Sequence, residues 1–418
     1  MINNYYWFYT EPFVYISTKG SDAILYNSLD GKYLVYEGKP GIVRFIKRLQ
    51  SNENLHVVKV SDCFLDKNPE VACFVKKVRK HFMGDIIGTG DSNGKPVQLN
   101  PVPYIKEDVT KFKNQSFNPF EDECLKYLNQ LYIYLNSQPN QSHEIFKDAY
   151  RQFPCLFTGT RNKHEVDLEN ILDLISQSKI SALTDIHISG GNILHYSNIE
   201  VLVKELNKLP HTKTYYMYYL FDNAIEKYHD ILDKESSVLK VFITFPIQEK
   251  SLDALLALLN ESEMKIEMVF IVQRDKELKQ LEYLVSGLNI DDFSLKPYYS
   301  GSNLSFFRKH VFISKRSVLK SRPALKEIFA KTFINPFNFG KLTVMNDGNI
   351  YANVNQPSIG KLGKDSLYDV VRKEINNGRS WRKIRTNVTP CKNCVLNALC
   401  PPISNYEYTI GDYNVCKN

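Results

Sequence analysis

The chain has 418 residues, 43% of them apolar and 24% charged, with 19 glycines and 18 prolines. That composition excludes a collagenous, low-complexity or wholly disordered protein and leaves room for two or three domains at ~150 residues each. The formal charge of +7, from 53 basic and 46 acidic residues spread along the sequence, excludes a charged tail and favours an acidic partner only weakly.

No apolar run approaches the ~20 residues of a membrane span. The start, Met1-Ile2-Asn3-Asn4-Tyr5-Tyr6-Trp7, lacks the basic-then-apolar profile of a signal peptide. A soluble, cytoplasmic protein without a membrane partner is expected. The cysteines agree with a reduced compartment: Cys63, Cys73, Cys124 and Cys155 are scattered, whereas Cys391, Cys394, Cys400 and Cys416 crowd near the end, as in a local metal site and unlike a disulfide framework.

In chain order, residues 1–85 read as one unit. Pro12–Ser17, Ala23–Asn27 and Lys32–Tyr36 have the composition of short antiparallel strands, separated by the turn signals Lys19-Gly20-Ser21-Asp22 and Asp30-Gly31. A helix opens near Pro40 with Ile42, Phe45, Ile46 and Leu49 at helical spacing, and another, Pro69–Phe82, places Val71, Phe74, Val75 and Val78 on one face. A β-meander followed by helices is winged-helix-like, an α+β pattern. Residues 86–122 turn to Gly, Pro, Asn and Ser and read as a linker.

Residues 123–305 alternate strands and helices. Strands are predicted over Leu131–Asn136, Thr184–Ser189, Thr212–Phe221, Leu239–Pro246, Lys265–Val272 and Phe293–Tyr299. Helices are predicted over Leu168–Ser178, Ser197–Leu209, Asn223–Leu232, Ser251–Asn260 and Asp275–Leu288. Six such units predict an α/β fold with a parallel sheet, curled into a partial (β/α)6 TIM-like barrel, with a doubly wound open sheet as the alternative. Residues 306–418 form a mixed, Cys-rich C-terminal domain with a hairpin, Lys341–Val344 and Ile350–Ala352 around Asp347-Gly348, and a helix over Asp365–Asn376.

Cys391-x2-Cys394-x5-Cys400-x15-Cys416 is the strongest chemical signal. Four thiolates on tight local loops suit one 4Fe-4S cluster or a tetrahedral zinc, and the spacing does not choose between them. Ser189-Gly190-Gly191-Asn192 follows the second barrel strand; glycines there either expose backbone groups to a ligand at the sheet's C-terminal rim or make an ordinary strand-to-helix turn. His187 reads as a core histidine. His143-Glu144 lacks a second histidine four residues from the first and reads as a solvated loop.

A partial barrel, a Gly-Gly rim after its second strand and a terminal Cys cluster together resemble the radical S-adenosylmethionine (SAM) superfamily with a SPASM-type extension. The resemblance implies a Cys-x3-Cys-x2-Cys loop after the first strand. In this chain Ser142, Phe146 and Ala149 fall at those positions by register, and the loop's one cysteine is Cys155. None of the three residues supplies a thiolate. Asn192 stands where the superfamily usually has a glutamate for the cofactor's ammonium, so S-adenosylmethionine is not expected. Asn353 and Ser404 stand where the extension would carry cysteines for its first auxiliary cluster, while Cys391, Cys394, Cys400 and Cys416 correspond to the second. Cys400-Pro401-Pro402-Ile403-Ser404-Asn405-Tyr406-Glu407, with the missing loop cysteines, resembles the pseudo-radical-SAM proteins of the GG-Bacteroidales peptide-maturation systems.

The first 85 residues are similar to the RiPP recognition element, which binds a leader peptide as an added strand beside its third strand and against its last helix. Here that groove implies Tyr33, Val35, Phe74, Val75 and Val78. The resulting expectation is a non-catalytic protein that binds a ribosomally made precursor peptide and assists a cognate radical SAM or other peptide-modifying enzyme. One alternative is an altered enzyme using His143, Glu144 or Asp148. Another is a winged-helix nucleic-acid-binding regulator, against which the first 85 residues carry only 12 basic and 9 acidic side chains.

Overall fold

In the computed structural model the described residues are 4–92, 94–98, 124–137, 144–159, 164–221, 228, 231–232, 235–261, 264–288 and 293–417. The predicted linker lies largely outside them, as do Ser142, His143 and most of the predicted helix Asn223–Leu232. None of the described helices is long and apolar enough to cross a membrane.

The amino-terminal unit contains two three-stranded antiparallel sheets. The predicted meander is β2 (Val14–Lys19), β3 (Asp22–Asn27) and β4 (Tyr33–Tyr36), in the order β2-β3-β4, so among the described residues one edge of β4 has no strand beside it. The second sheet is absent from the sequence reading. Its centre is β1 (Tyr5–Thr10), flanked by β5 (Val57–Ser61) and β6 (Gly84–Gly88). These pairings join residues up to about eighty positions apart, beyond any local turn signal. They carry ordered structure to Gly88, past the expected boundary at 85 and into the expected linker.

Helices Pro40–Leu49 and Pro69–Lys80 start at proline, where a missing N–H costs nothing. They bury Phe45 and Phe74 against Phe8 of β1, with ring centroids 5.7–6.0 Å apart. The meander is buried on two sides. Leu25 joins this core, while Ile24 and Tyr26 pack with Val318, Ile328, Leu396 and Leu399 from the carboxy-terminal segment.

The central sheet is mixed and has nine strands. Its parallel part is β7 (Gln130–Tyr134), β8 (Asp185–Ser189), β9 (Thr212–Tyr218), β10 (Ser237–Thr244), β11 (Lys265–Val272) and β12 (Phe293–Pro297), each beside its predecessor. Sequential order means every crossover steps the same way, so right-handed crossovers place the helices on one face. The helices Leu168–Gln177, Ile199–Asn207, Glu249–Glu261 and Asp275–Leu288 occupy the connections expected of them.

After the two-residue β13 (Ile313–Ser314), β14 (Lys341–Val344) lies parallel to β7, and β15 (Asn349–Tyr351) and β16 (Gly360–Lys361) continue antiparallel. The predicted hairpin is present. Its membership of the main sheet was not legible. The last strand, β17 (Cys416–Lys417), pairs with β13, and the helix Leu367–Asn377 matches the one expected after the hairpin.

Candidate functional site

The Gly-Gly rim is closed by its own chain. Gly190 has φ +151°, and a Cβ there would stand 2.5 Å from Asn136 Oδ1 and 2.9 Å from Asn136 O, so only glycine fits. Gly191 N–H donates to Asn136 Oδ1 at 3.0 Å, Asn136 Nδ2 donates to Asn192 O at 2.9 Å, and Phe157 N–H donates to Gly190 O at 2.6 Å. Asn192 Oδ1 accepts from Leu194 N–H at 3.1 Å. Gly191 N–H and the Gly190 O, Asn192 O and Asn192 Oδ1 acceptors are therefore engaged internally, and all three rim residues are buried.

The loop after β7 folds into the sheet. Phe146 and Ala149, two of the expected ligand positions, are buried without exposure; Phe146 packs edge-on against Tyr218 at 5.1 Å. Cys155 is also buried, and burial pushes its thiol well up. Gln152 bonds to Tyr299 beyond β12. Glu144 and Asp148, offered as acid–base groups, are exposed, and Glu144 pairs with Lys147 at 3.3 Å. Neither is among the residues that line the cavity described below.

That space is a cavity of about 400 Å³ over the sheet face opposite the helices. Alternation along the strands brings Tyr132 and Tyr134 of β7, His187 of β8, Tyr216 of β9, Lys240 and Phe242 of β10, Lys296 of β12 and Lys341 of β14 to its wall. His187 stacks on Tyr132 with centroids 4.1 Å apart, and its Nδ1 lies 3.4 Å from the Tyr216 hydroxyl. Burial holds this imidazole down at about 3, with Asp185 opposing and Lys240 and Lys341 adding to the depression. Lys240 pairs with Glu267 at 2.8 Å. Burial also lowers Lys296 and Lys341. The sequence reading missed all three lysines. Their signal was a basic residue inside an otherwise apolar strand, as in Val238-Leu239-Lys240-Val241-Phe242.

The positions where the resemblance would place further cysteines serve as structural polar groups. Asn353 Nδ2 donates to Asn405 Oδ1 at 2.7 Å. Ser404, just before the helix Asn405–Ile410, donates its backbone N–H at 2.8 Å and its hydroxyl at 3.2 Å to Glu407 Oε2. Glu407 in turn holds buried Arg385, with Nη1–Oε1 at 2.8 Å and Nη2–Oε2 at 3.2 Å.

Cys391, Cys394, Cys400 and Cys416 share one neighbourhood. Burial raises the Cys400 thiol to about 12, Arg385 counteracts this, and the other three sulfurs add to the rise. Cys391 Sγ lies 3.6 Å from Arg385 Nη1. The donor set suits a thiophilic metal. As the side chains stand, no three His, Cys, Asp or Glu groups among the described residues are close enough to hold an ion.

A second concavity, of about 530 Å³, runs between β4 and the helix Pro69–Lys80, lined by Val35, Tyr36, Ile42, Cys73, Phe74 and Lys77 among others. Tyr33 and Val35 are exposed on β4. Of the helix residues expected here, Phe74 lines the groove from a fully buried position, while Val75 and Val78 belong to the core and do not line it. The helical period turns Glu70, Cys73 and Lys77 toward the groove instead.

No family profile and no curated protein matches the chain. Among solved structures it is similar to Streptococcus suis SuiB, at 13% identity and a TM-score of 0.50, covering 98% of this chain and 100% of that one. SuiB bound to precursor peptide SuiA gives 14% and 0.49, and SuiB bound to S-adenosylmethionine 14% and 0.46, with the same coverage. At these identities the likeness is one of fold alone.

Proposed function

We propose that this chain binds a ribosomally made precursor peptide as a strand added to β4 and assists a separate maturation enzyme without performing radical chemistry itself. In this reading residues 1–85 are a winged-helix-like recognition element, 123–305 a partial barrel of radical SAM type, and 306–418 a SPASM-like domain. The observation that carries it is the edge of β4 that no strand among the described residues covers, beside the groove. An edge strand offers a row of backbone donors and acceptors, and the groove offers apolar contact for alternate side chains of an extended peptide. SuiB, whose fold is similar, has been crystallised with a precursor peptide, which is in keeping with a peptide partner.

The closed rim supports the non-catalytic part. Asn136 engages Gly191 N–H and Asn192 O, Phe157 engages Gly190 O, and Phe146 and Ala149 offer no sulfur. The four terminal cysteines would hold one 4Fe-4S cluster, or alternatively zinc, which would supply cross-linking of a small region rather than turnover. They would have to draw together to do so.

The test titrates the full-length protein into fluorophore-labelled synthetic leader peptides encoded beside this gene and follows their anisotropy. A saturable rise that weakens at least tenfold in Val35→Lys is expected. Absence of binding by every such peptide, or binding indifferent to Val35→Lys, would refute the reading. Release of 5′-deoxyadenosine from S-adenosylmethionine by the purified protein would refute its non-catalytic half.

A further inference from the structure

A further concavity, of about 360 Å³, adjoins the β4 groove, between the helix Pro40–Leu49 and the short helix Asp62–Lys67 that leads into Pro69–Lys80. Its apolar lining is Phe45, Phe64 and Val71, with the Phe45 and Phe64 rings stacked at 6.1 Å and 28°. Phe64 is only half-buried. Three exposed cations, Arg44, Arg48 and Lys67, also line it. No carboxylate among the described residues is within ion-pair distance of any of the three, and Glu70, the carboxylate lining the concavity, accepts from Lys39 Nζ at 2.9 Å. Arg44 and Arg48 stand four residues apart on one helix, a spacing at which like charges repel.

The two concavities meet. Pro69 and Glu70 line both, and the first turn of the helix Pro40–Leu49 gives Ile42 to the β4 groove and Gly41 to its neighbour. At this seam stand Gly41, which has no side chain, and the Lys39–Glu70 pair, about half exposed and so held by little energy. In charge they differ. The β4 groove mixes Glu37 and Glu70 with Lys39 and Lys77, whereas its neighbour sets three unpaired cations against one carboxylate already engaged.

We propose that the neighbouring concavity receives an acidic segment of the same peptide. Beyond the part paired with β4, the bound chain crosses Pro69, sets Asp or Glu side chains against Arg44, Arg48 and Lys67, and covers Phe64 with an apolar side chain. The inference rests on the reading of β4 as a peptide-binding edge and adds the class of peptide bound. A nucleic acid is the other polyanion that three cations would suit; residues 1–85, with 12 basic against 9 acidic side chains, offer it no extended footprint.

The experiment extends the anisotropy titration. Each labelled leader peptide is compared with a copy whose Asp and Glu are replaced by Asn and Gln. The full-length proteins are wild type, the double variant Arg44→Gln, Arg48→Gln, and Lys80→Gln, a basic control outside both concavities. The native peptide should bind the double variant about fivefold or more weakly than wild type, and the amide copy should bind wild type with a similar loss. The amide copy should not distinguish the two proteins, which assigns the effect of the arginines to the peptide's carboxylates. Because the amide copy meets unaltered protein, this result does not depend on how the variant folds. Binding that needs Val35 but ignores the two arginines, or ignores the peptide's acidic residues, overturns the inference and leaves the β4 reading intact. So does an equal loss from the arginine substitutions on both peptides, a similar loss in Lys80→Gln, or a mixed-sequence DNA duplex binding more tightly than the peptide through the same arginines. Absence of peptide binding, or binding indifferent to Val35→Lys, removes both.

Discussion

Gln152 and the backbone of Tyr299 exchange two hydrogen bonds: Gln152 Nε2 donates to Tyr299 O at 2.8 Å, and Tyr299 N–H donates to Gln152 Oε1 at 2.7 Å. The pair ties the loop after the first parallel strand to the chain leaving the last. Gln152→Ala removes both partners at once. A loss of about 1–3 kcal/mol is expected in denaturant unfolding, with faster hydrogen exchange at the Tyr299 amide. Unchanged exchange there would dismiss the clamp.

Gly190→Ala should be worse than an average surface change. The added methyl meets Asn136 Oδ1 at 2.5 Å on a backbone that L residues avoid. We expect at least ~2 kcal/mol of destabilisation by urea unfolding. Asn136→Ala should cost a comparable amount, because it strips bonds from Gly191 and Asn192.

His187 confers an acid-sensitive component of stability. The unfolded chain protonates this imidazole near pH ~6.5 and the folded chain near about 3. Between those values the unfolded state holds more protons, so stability present above ~6.5 drains away as pH falls. Relative to His187→Gln, the wild type should lose about 1.4 kcal/mol per pH unit between roughly pH 6 and 4. Parallel melting curves for the two proteins across that range would show the shift to be absent.

Glu407→Gln leaves Arg385 buried without its counter-charge, since the two side chains are 0% and 6% exposed. A penalty of about 3–5 kcal/mol is expected. The double variant Arg385→Met, Glu407→Leu should recover part of it, and a simple sum of the two single effects would deny the coupling.

Anaerobic reconstitution with iron and sulfide, or with zinc, should load one metal centre per chain and raise the melting temperature. A chelator should reverse both effects. Cys400→Ser should take up no stoichiometric metal; full loading of that variant would place the centre elsewhere.

The parallel strands were legible because Val-, Ile- and Tyr-rich runs between helical periods mark them locally, and β11 falls on the predicted residues Lys265–Val272. Strand β1 was not, because Tyr5–Thr10 finds its partners at 57–61 and 84–88 through long-range pairing alone. Of the groove residues expected, Val35 and Phe74 line the concavity beside β4 and Tyr33 does not; the choice of Val75 and Val78 followed the apolar face of the helix, which is the face that turns inward. Lys296 and Lys341 escaped notice because neither belongs to a motif. They line the cavity from β12 and β14, which stand six places apart in the sheet and so are unrelated in local sequence.

The two-sided burial of the meander has a consequence for synthesis. Tyr26 donates its hydroxyl to Pro323 O, 297 positions downstream, and Ile24 is covered by Leu396 and Leu399. On the ribosome the nascent sheet therefore emerges with one apolar side bare, and at ~5–20 residues per second it stays so for roughly 15–60 s until that partner is made. A transcript truncated before this point yields an adhesive fragment in need of chaperones.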